Sequence, residues 1–269
     1  MREVYLKSNY QDLQRYMPID LSIGGDVEAT LPDFLDAIKR ATTSEHKSAI
    51  AERTKAVART HHEMRARDKE AATLGWDASP VSTSRLAAET WNAIKFEKWS
   101  LVVSDRIPWV RRLWPVTEYH HMLGGSGGGG LGYHAAGAAG AALANKDKGL
   151  ISVTFQGDGD LMYAPGVLWS AAHHQIPLLT VMHNNRCYHQ EIMHVQRMAA
   201  IHNRPQHTAR IGTEITAPNI DFAKLAQGMG VWAEGPITDP AKLGAALQRA
   251  LKVVRSGAPA LVDVVCQGR

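Results

Sequence analysis

Residues 151–188 read ISVTFQGDGDLMYAPGVLWSAAHHQIPLLTVMHNNRCY. The run Ile151–Phe155 is short, apolar and rich in β-branched residues, and Leu178–Met182 repeats that character after Ile176-Pro177. Between them, Pro165–His174 has helical composition, and Gln156-Gly157-Asp158-Gly159-Asp160 has the composition of a sharp turn. Two near-continuous apolar strands joined by a helix predict a parallel pair buried on both faces.

The same alternation extends outward. Leu101–Val103 and Leu261–Val265 read as further strands, and Arg85–Glu97, Tyr133–Ala144, Phe222–Met229 and Pro240–Val254 read as helices. The pattern predicts an α/β domain over residues 80–269, a parallel sheet with helices on both faces in three layers. Ligands of such sheets sit beyond the carboxyl ends of the strands. Upstream the chain changes character. Residues 46–79 are dense in charges of both signs, the composition of a solvated helical linker. Residues 1–45 hold a strand-like Val4-Tyr5-Leu6, then Asp20–Asp26, then a helix expected over Thr30–Arg40, with Thr30 as N-cap and Pro32 in the first turn. That piece is too small to bury its own apolar residues.

Composition narrows the class. Hydrophobic residues at 45% and charged residues at 21% are ordinary for a soluble globular chain. No apolar run approaches the ~18 residues that cross a membrane, and Met1-Arg2-Glu3-Val4 lacks the apolar stretch of a secretion signal. Two cysteines, Cys187 and Cys266, make a disulfide framework implausible and fit a reducing cytoplasm. The net charge of +4 comes from basic residues scattered through helical stretches, so no nucleic-acid footprint is expected.

Chemistry concentrates at the two strand ends of 151–188. The glycines flanking Asp158 let the backbone turn sharply and approach a ligand closely. A carboxylate there cannot touch a phosphate directly, because both are anions. A divalent cation bridging Asp158 to a diphosphate resolves this, with the loop N–H groups facing phosphate oxygens. Neighbouring strands place Asn185 on the same rim, where its amide oxygen can be a second ligand. Hard oxygen donors without a His or Cys cluster favour Mg²⁺ over zinc.

Gly157-Asp158-Gly159 followed by Asn184-Asn185, with Asn185 27 positions after Asp158, resembles the signature of thiamine-diphosphate enzymes. The block GDGDLMYAPGVLWSAAHHQIPLLTVMHNN looks like the diphosphate-binding domain of the acetolactate-synthase and 2-keto acid decarboxylase type, and the likeness covers about residues 80–269. The resemblance implies thiamine diphosphate and Mg²⁺ as cofactors, with Asp158, Asn185 and the main-chain carbonyl of Cys187 as metal ligands. Gly157, Asp158, Gly159, Asp160, Asn185 and Tyr188 would contact the cofactor.

Upstream lies Gly124-Gly125-Ser126-Gly127-Gly128-Gly129-Gly130-Leu131-Gly132, which contains a GxGxxG pattern. A dinucleotide fingerprint follows a strand directly, whereas Thr117–Met122 is polar and not strand-like. The family resemblance offers another reading. Leu131 is the apolar wedge that bends the cofactor, Gly129 offers the carbonyl that receives its 4′-amino group, and Gly130 adjoins them. The bend brings that nitrogen beside the C2 carbon whose proton it removes.

Glu191, six positions past Asn185, matches a place where some relatives carry a catalytic carboxylate. It is expected as an acid–base group, with His194 and His121 as further catalytic candidates and His189 and His120 as pocket candidates. A structural alternative has Glu191 and its histidines capping a surface helix. His173-His174, mid-helix, reads as structural.

The resemblance also implies something absent. Relatives activate the cofactor with a Glu in a pyrimidine-binding domain of a facing subunit, and residues 1–79 cannot hold that domain. Residues 1–45 resemble the end of the family's middle domain. The expectation is a split enzyme, a hetero-oligomer such as α2β2, in which a second subunit brings the pyrimidine domain and its Glu. The small-molecule substrate would be a 2-keto acid or acyloin-type ketone, the reaction a C–C cleavage, decarboxylation or carboligation. CoA-using relatives carry an extension beyond the last strand. The chain ends at Arg269, soon after Val265, which counts against the alternative of a 2-hydroxyacyl-CoA lyase or oxalyl-CoA decarboxylase. A non-catalytic regulatory subunit keeping the fold has no physical need for Asp158, Asn185 and Leu131.

Overall fold

The computed structural model describes residues 20–21, 23–103, 107–124 and 130–268. The strand expected at Val4-Tyr5-Leu6 and the carbonyl of Gly129 lie outside the described residues. The chain divides into two units, residues 1–67 and 68–269.

In the first unit, α1 (Val27–Ala41) begins earlier than the sequence suggested. Asp26, not Thr30, is the N-cap, its carboxylate accepting the Ala29 N–H at 2.9 Å. An Asp caps as well as a Thr, and it sits one turn upstream. Pro32 therefore falls inside the helix, where it removes one backbone hydrogen bond without ending it. None of the residues of α1 is buried, and Leu31, Phe34, Leu35 and Ile38 form an exposed apolar stripe along it. Helix α2 (Ser44–Ala71), whose last residues belong to the second unit, is the charged helix anticipated, and it too buries none of its residues.

The second unit is a six-stranded, wholly parallel sheet. In chain order its elements are α3 (Thr83–Ile94), β1 (Trp99–Val102), α4 (Pro108–Leu113), β2 (Met122–Leu123), α5 (Tyr133–Asn145), β3 (Ile151–Gly157), α6 (Asp158–Tyr163) and α7 (Val167–His173). They continue with β4 (Leu178–Asn184), α8 (His189–Ile201), α9 (Phe222–Gly228), β5 (Trp232–Ile237), α10 (Leu243–Arg255) and β6 (Ala260–Val265). The strand order is β2-β1-β3-β4-β6-β5.

Alternation along the strands splits the core between two faces. Val153, Phe155, Leu179, Val181 and Val262 pack with Leu86 of α3, Val110 of α4 and Leu247 of α10. Met182 and Leu261 pack with Phe222 and Ala226 of α9, and Val102 and Leu178 with Ala138 and Ala142 of α5. Three layers result, as the alternating pattern requires.

Two strands escaped the sequence reading. β5 carries Gly235-Pro236, strand breakers tolerated because β5 is an edge strand paired only to β6, with a register shift between Glu234 and Ile237. β2 is two residues long and pairs with β1, Val102 opposite Leu123. The glycine-rich segment therefore does follow a strand, so a missing strand does not separate it from a dinucleotide fingerprint.

Candidate functional site

In β3 and β4, Gly157 stands in register with His183, so the two loops leave the sheet side by side. Between them opens a cleft. Its walls include Leu131, Gly157, Asp158, Gly159, Asp160, Asn185, Cys187, Tyr188 and Glu191. Most of the residues expected from the sequence to grip a cofactor are thus brought together on one rim.

Asp158 is the first residue of α6 and is 2% exposed. One carboxylate oxygen, Oδ1, accepts the Gly159 N–H at 2.8 Å. The other, Oδ2, is buried and has no partner. Burial pushes the carboxyl up to about 6, while the Gly159, Arg186 and Cys187 N–H groups that face it pull the other way. A buried, half-satisfied carboxylate is costly unless a cation or a proton completes it.

The second loop lines the same cleft through Asn185, Cys187 and Tyr188. Asn185 Oδ1 accepts the Cys187 N–H at 3.1 Å, fixing the side chain in a local turn. The loop is pinned from outside by residues 213–215, with Tyr188 N–H to Thr213 C=O at 2.8 Å and Ile215 N–H to Arg186 C=O at 2.7 Å. The carbonyls of Arg186 and Tyr188 each receive a backbone N–H, but among the described residues that of Cys187 receives none. Burial first, and then the nearby Asp158, raise the Cys187 thiol. The donor set of Asp158, Asn185 and the Cys187 carbonyl fits a hard divalent cation.

The two asparagines part company by strand alternation. Asn184 turns into the core, its Nδ2 donating to Asp263 Oδ1 at 3.0 Å, whereas Asn185 faces the cleft. The Tyr188 ring packs against Gly159, where an added Cβ would come within 2.3 Å of it. Only glycine fits there. Tyr188 also hydrogen-bonds Tyr163, and burial, then Tyr163, raise its phenol.

Leu131 also lines the cleft and is 37% exposed. Gly130 is exposed beside it. Glu191 sits in the first turn of α8 and lines the cleft with His189 and Gln190. These residues begin a surface helix whose N-cap, Tyr188, makes no side-chain cap, and its first turn borders the cleft. His194 is exposed one turn further along and is not a wall residue. His121 does not join the cleft. Its ring stacks on Trp99 at 4.0 Å between centroids, and its Nδ1 accepts the Thr117 and Glu118 N–H groups at 3.2 Å each. Burial, then the neighbouring His120, lower its basicity. His173 stacks on Trp169, away from the cleft walls.

Two contributors, His183 and His134, were missed, whereas His189, expected as a pocket residue, lines the cleft. His183 lines the cleft and its Nε2 lies 3.0 Å from the Gln267 carbonyl. His189 packs against Gly268, where an added Cβ would come within 2.7 Å of the ring. His134 is buried 3.2 Å from Asp160 Oδ2. The first was legible, since strand alternation puts His183 on the side of Asn185.

The structure is thus a parallel α/β sheet with a carboxylate loop and an asparagine loop at adjacent strand ends, the rim where such sheets bind ligands. The family described as thiamine pyrophosphate enzyme, C-terminal TPP binding domain, matches residues 106–264, and the chain belongs to that family. Thiamine diphosphate is accordingly its cofactor class. Among similar proteins, “Putative acetolactate synthase large subunit IlvX” of Mycobacterium tuberculosis (strain ATCC 25618 / H37Rv) is 35% identical over 138 residues, 51% of this chain and 25% of that protein. Benzoylformate decarboxylase of Pseudomonas aeruginosa is 31% identical over 139 residues, 52% of this chain and 24% of that protein. The structure of the thiamine diphosphate-dependent 4-hydroxybenzoylformate decarboxylase of Rhodococcus jostii RHA1 shares the fold, with a TM-score of 0.56 and 23% identity, over 70% of this chain and 33% of that one. The chain thus spans about a quarter of the length of the curated relatives it matches.

No helix among the described residues is long and apolar enough to cross a membrane.

Proposed function

We propose that this chain is the Mg²⁺- and diphosphate-gripping part of a thiamine-diphosphate lyase, decarboxylase or carboligase acting on a 2-keto acid or acyloin-type ketone. The observation that carries the reading is Asp158 Oδ2, buried in the cleft wall without a partner. Asp158, Asn185 and the Cys187 carbonyl would hold Mg²⁺, which would neutralise the diphosphate. Gly157 and Gly159 keep the loop close, Tyr188 packs against it, and Leu131 imposes the bend. Thiamine diphosphate, when bound, supplies the carbanion chemistry that breaks or makes a bond beside a carbonyl. Glu191, on the cleft rim, holds or delivers a proton to the reacting oxygen or carbon. His121, already stacked and hydrogen-bonded elsewhere, is left a structural part, and His194 a place further out on α8.

A second polypeptide, bringing the pyrimidine-binding domain and the activating Glu, completes the site in a hetero-oligomer. One observation supports this: α1 leaves an apolar stripe with nothing buried, the kind of surface a partner covers. The test is calorimetry on the chain co-purified with the product of its neighbouring gene. Thiamine diphosphate should bind only with Mg²⁺, and Asp158→Ala should abolish binding. Equal binding with and without Mg²⁺, or by Asp158→Ala, would remove the metal assignment.

A further inference from the structure

We infer that Asp160 is a positioning residue that locks the turn carrying Leu131 to the helix that begins with Asp158. The inference rests on the reading of the cleft as the cofactor site. Asp160 and His134 are each 3% exposed, and neither needs to be buried for a surface role. The Gly132 N–H donates to Asp160 Oδ1 at 2.7 Å, and His134 Nδ1 lies 3.2 Å from Oδ2. Oδ1 is thus taken by a donor of the protein itself, and Oδ2 faces the His134 ring.

Gly132 is the N-cap of α5 and has no side chain to cap the helix. Asp160, 28 residues on, brings a carboxylate to that end, where the unsatisfied N–H groups and the dipole of a 13-residue helix favour negative charge. The fit is tight. Gly132 has φ +86°, and a Cβ there would come within 2.7 Å of the Tyr163 Cβ, so the turn is pressed against α6 at both ends.

Asp158 and Asp160 share the first turn of α6 and point to different sides of it. One faces the cation position and the other grips the Leu131 turn. Six residues of helix therefore set the separation between the metal grip and the apolar wedge. Loosening Asp160 would let that separation drift while every metal ligand stayed in place.

The test is amide hydrogen exchange at Gly132 in the full chain without cofactor, followed by NMR. Asp160→Ala should speed exchange tenfold or more, as expected for loss of a charge-assisted hydrogen bond. His134→Ala, which removes one leg, should give a smaller but clear increase. Asp160→Asn, which keeps an acceptor for Gly132, should stay near the parent. In the assembled complex at saturating Mg²⁺, Asp160→Ala should raise the thiamine diphosphate Kd about tenfold with an unchanged Mg²⁺ requirement. Parent-like exchange in both alanine variants would overturn the inference, and if Asp160→Ala does not fold, His134→Ala alone decides. Failure of the parent complex to bind thiamine diphosphate would instead overturn the functional reading, leaving the exchange result to judge the lock.

Discussion

Asn184 Nδ2 donates to Asp263 Oδ1 at 3.0 Å, and the Phe222 N–H approaches the other oxygen of the same carboxylate at 3.3 Å, tying β4, β6 and the start of α9 together beneath the cleft. Asp263 is wholly buried, and that burial outweighs both hydrogen bonds and pushes its carboxyl to about 6, with Asp221 and Asp158 adding to the rise.

A pH dependence follows with a definite sign. A carboxyl raised in the fold binds protons more tightly there than in the unfolded chain. Its contribution to stability is full below its ordinary 3.8 and is lost as pH rises through about 6. The difference is on the order of 3 kcal/mol for a two-unit shift. Asp263→Asn removes the titration, and a flip of the Asn184 amide restores both hydrogen bonds. Urea unfolding of the cofactor-free chain at pH 4 to 7 should show a shallower fall in stability for the variant. A parallel pH profile would mean that Asp263 does not titrate in this range.

The packing of Tyr188 on Gly159 predicts a paired result. Gly159→Ala puts a methyl within 2.3 Å of the ring and must displace it, at a cost of about 1–3 kcal/mol for an overpacked site. Cofactor affinity should fall at least tenfold, because Tyr188 and the Asp158 loop move together. Adding Tyr188→Ala removes the clash and should restore most of the thermal stability, though not the affinity. Thermal melts and calorimetry of the single and double variants check both halves.

Glu191 and His121 should separate in kinetics. If Glu191 moves a proton from the cleft rim, Glu191→Gln in the assembled complex lowers kcat by about 10²-fold or more, with cofactor affinity nearly unchanged. His121→Ala loses the stack on Trp99 and two backbone hydrogen bonds. It should lower the melting temperature by a few degrees and leave turnover within a factor of about three, since none of its contacts faces the cleft. Steady-state turnover beside thermal melts distinguishes the two.

The fold was readable where apolar runs are continuous. Ile151–Phe155, Leu178–Met182 and Leu261–Val265 are buried central strands whose β-branched residues leave little choice of structure. Edge strands are less constrained, so β2, with two residues, and β5, interrupted by Gly235-Pro236, leave no comparable mark. The cleft was readable because Asp158 and Asn185 stand at the ends of adjacent central strands, where local sequence and topology agree. His121 was misplaced for the converse reason. Its neighbours in space, Trp99 and the turn at Glu118, belong to packing between β1 and the segment before β2, which no local pattern announces. His134 and Asp160 meet across 26 residues of chain, a pairing visible only once α5 and α6 are in place.

Gly235 offers a test of how firmly the edge of the sheet supports the Asp263 pocket. It has φ +140°, and a Cβ there would lie 2.5 Å from the Asp263 carbonyl oxygen and 2.7 Å from the Asp263 Cβ. The neighbour is backbone of a central strand and cannot swing aside, so Gly235→Ala carries both a conformational and a steric cost, together about 3 kcal/mol or more. Gly257 is a matched control, because its φ of +92° is equally unsuited to a side chain but nothing lies within 4 Å. Gly257→Ala should cost only the conformational part, about 1–2 kcal/mol. For a domain of this size the first change should lower the melting temperature by roughly 6–12 °C and the second by half of that or less. Equal shifts in the two variants would show that β5 yields to relieve the contact, and that the register shift between Glu234 and Ile237 is the soft point of the sheet.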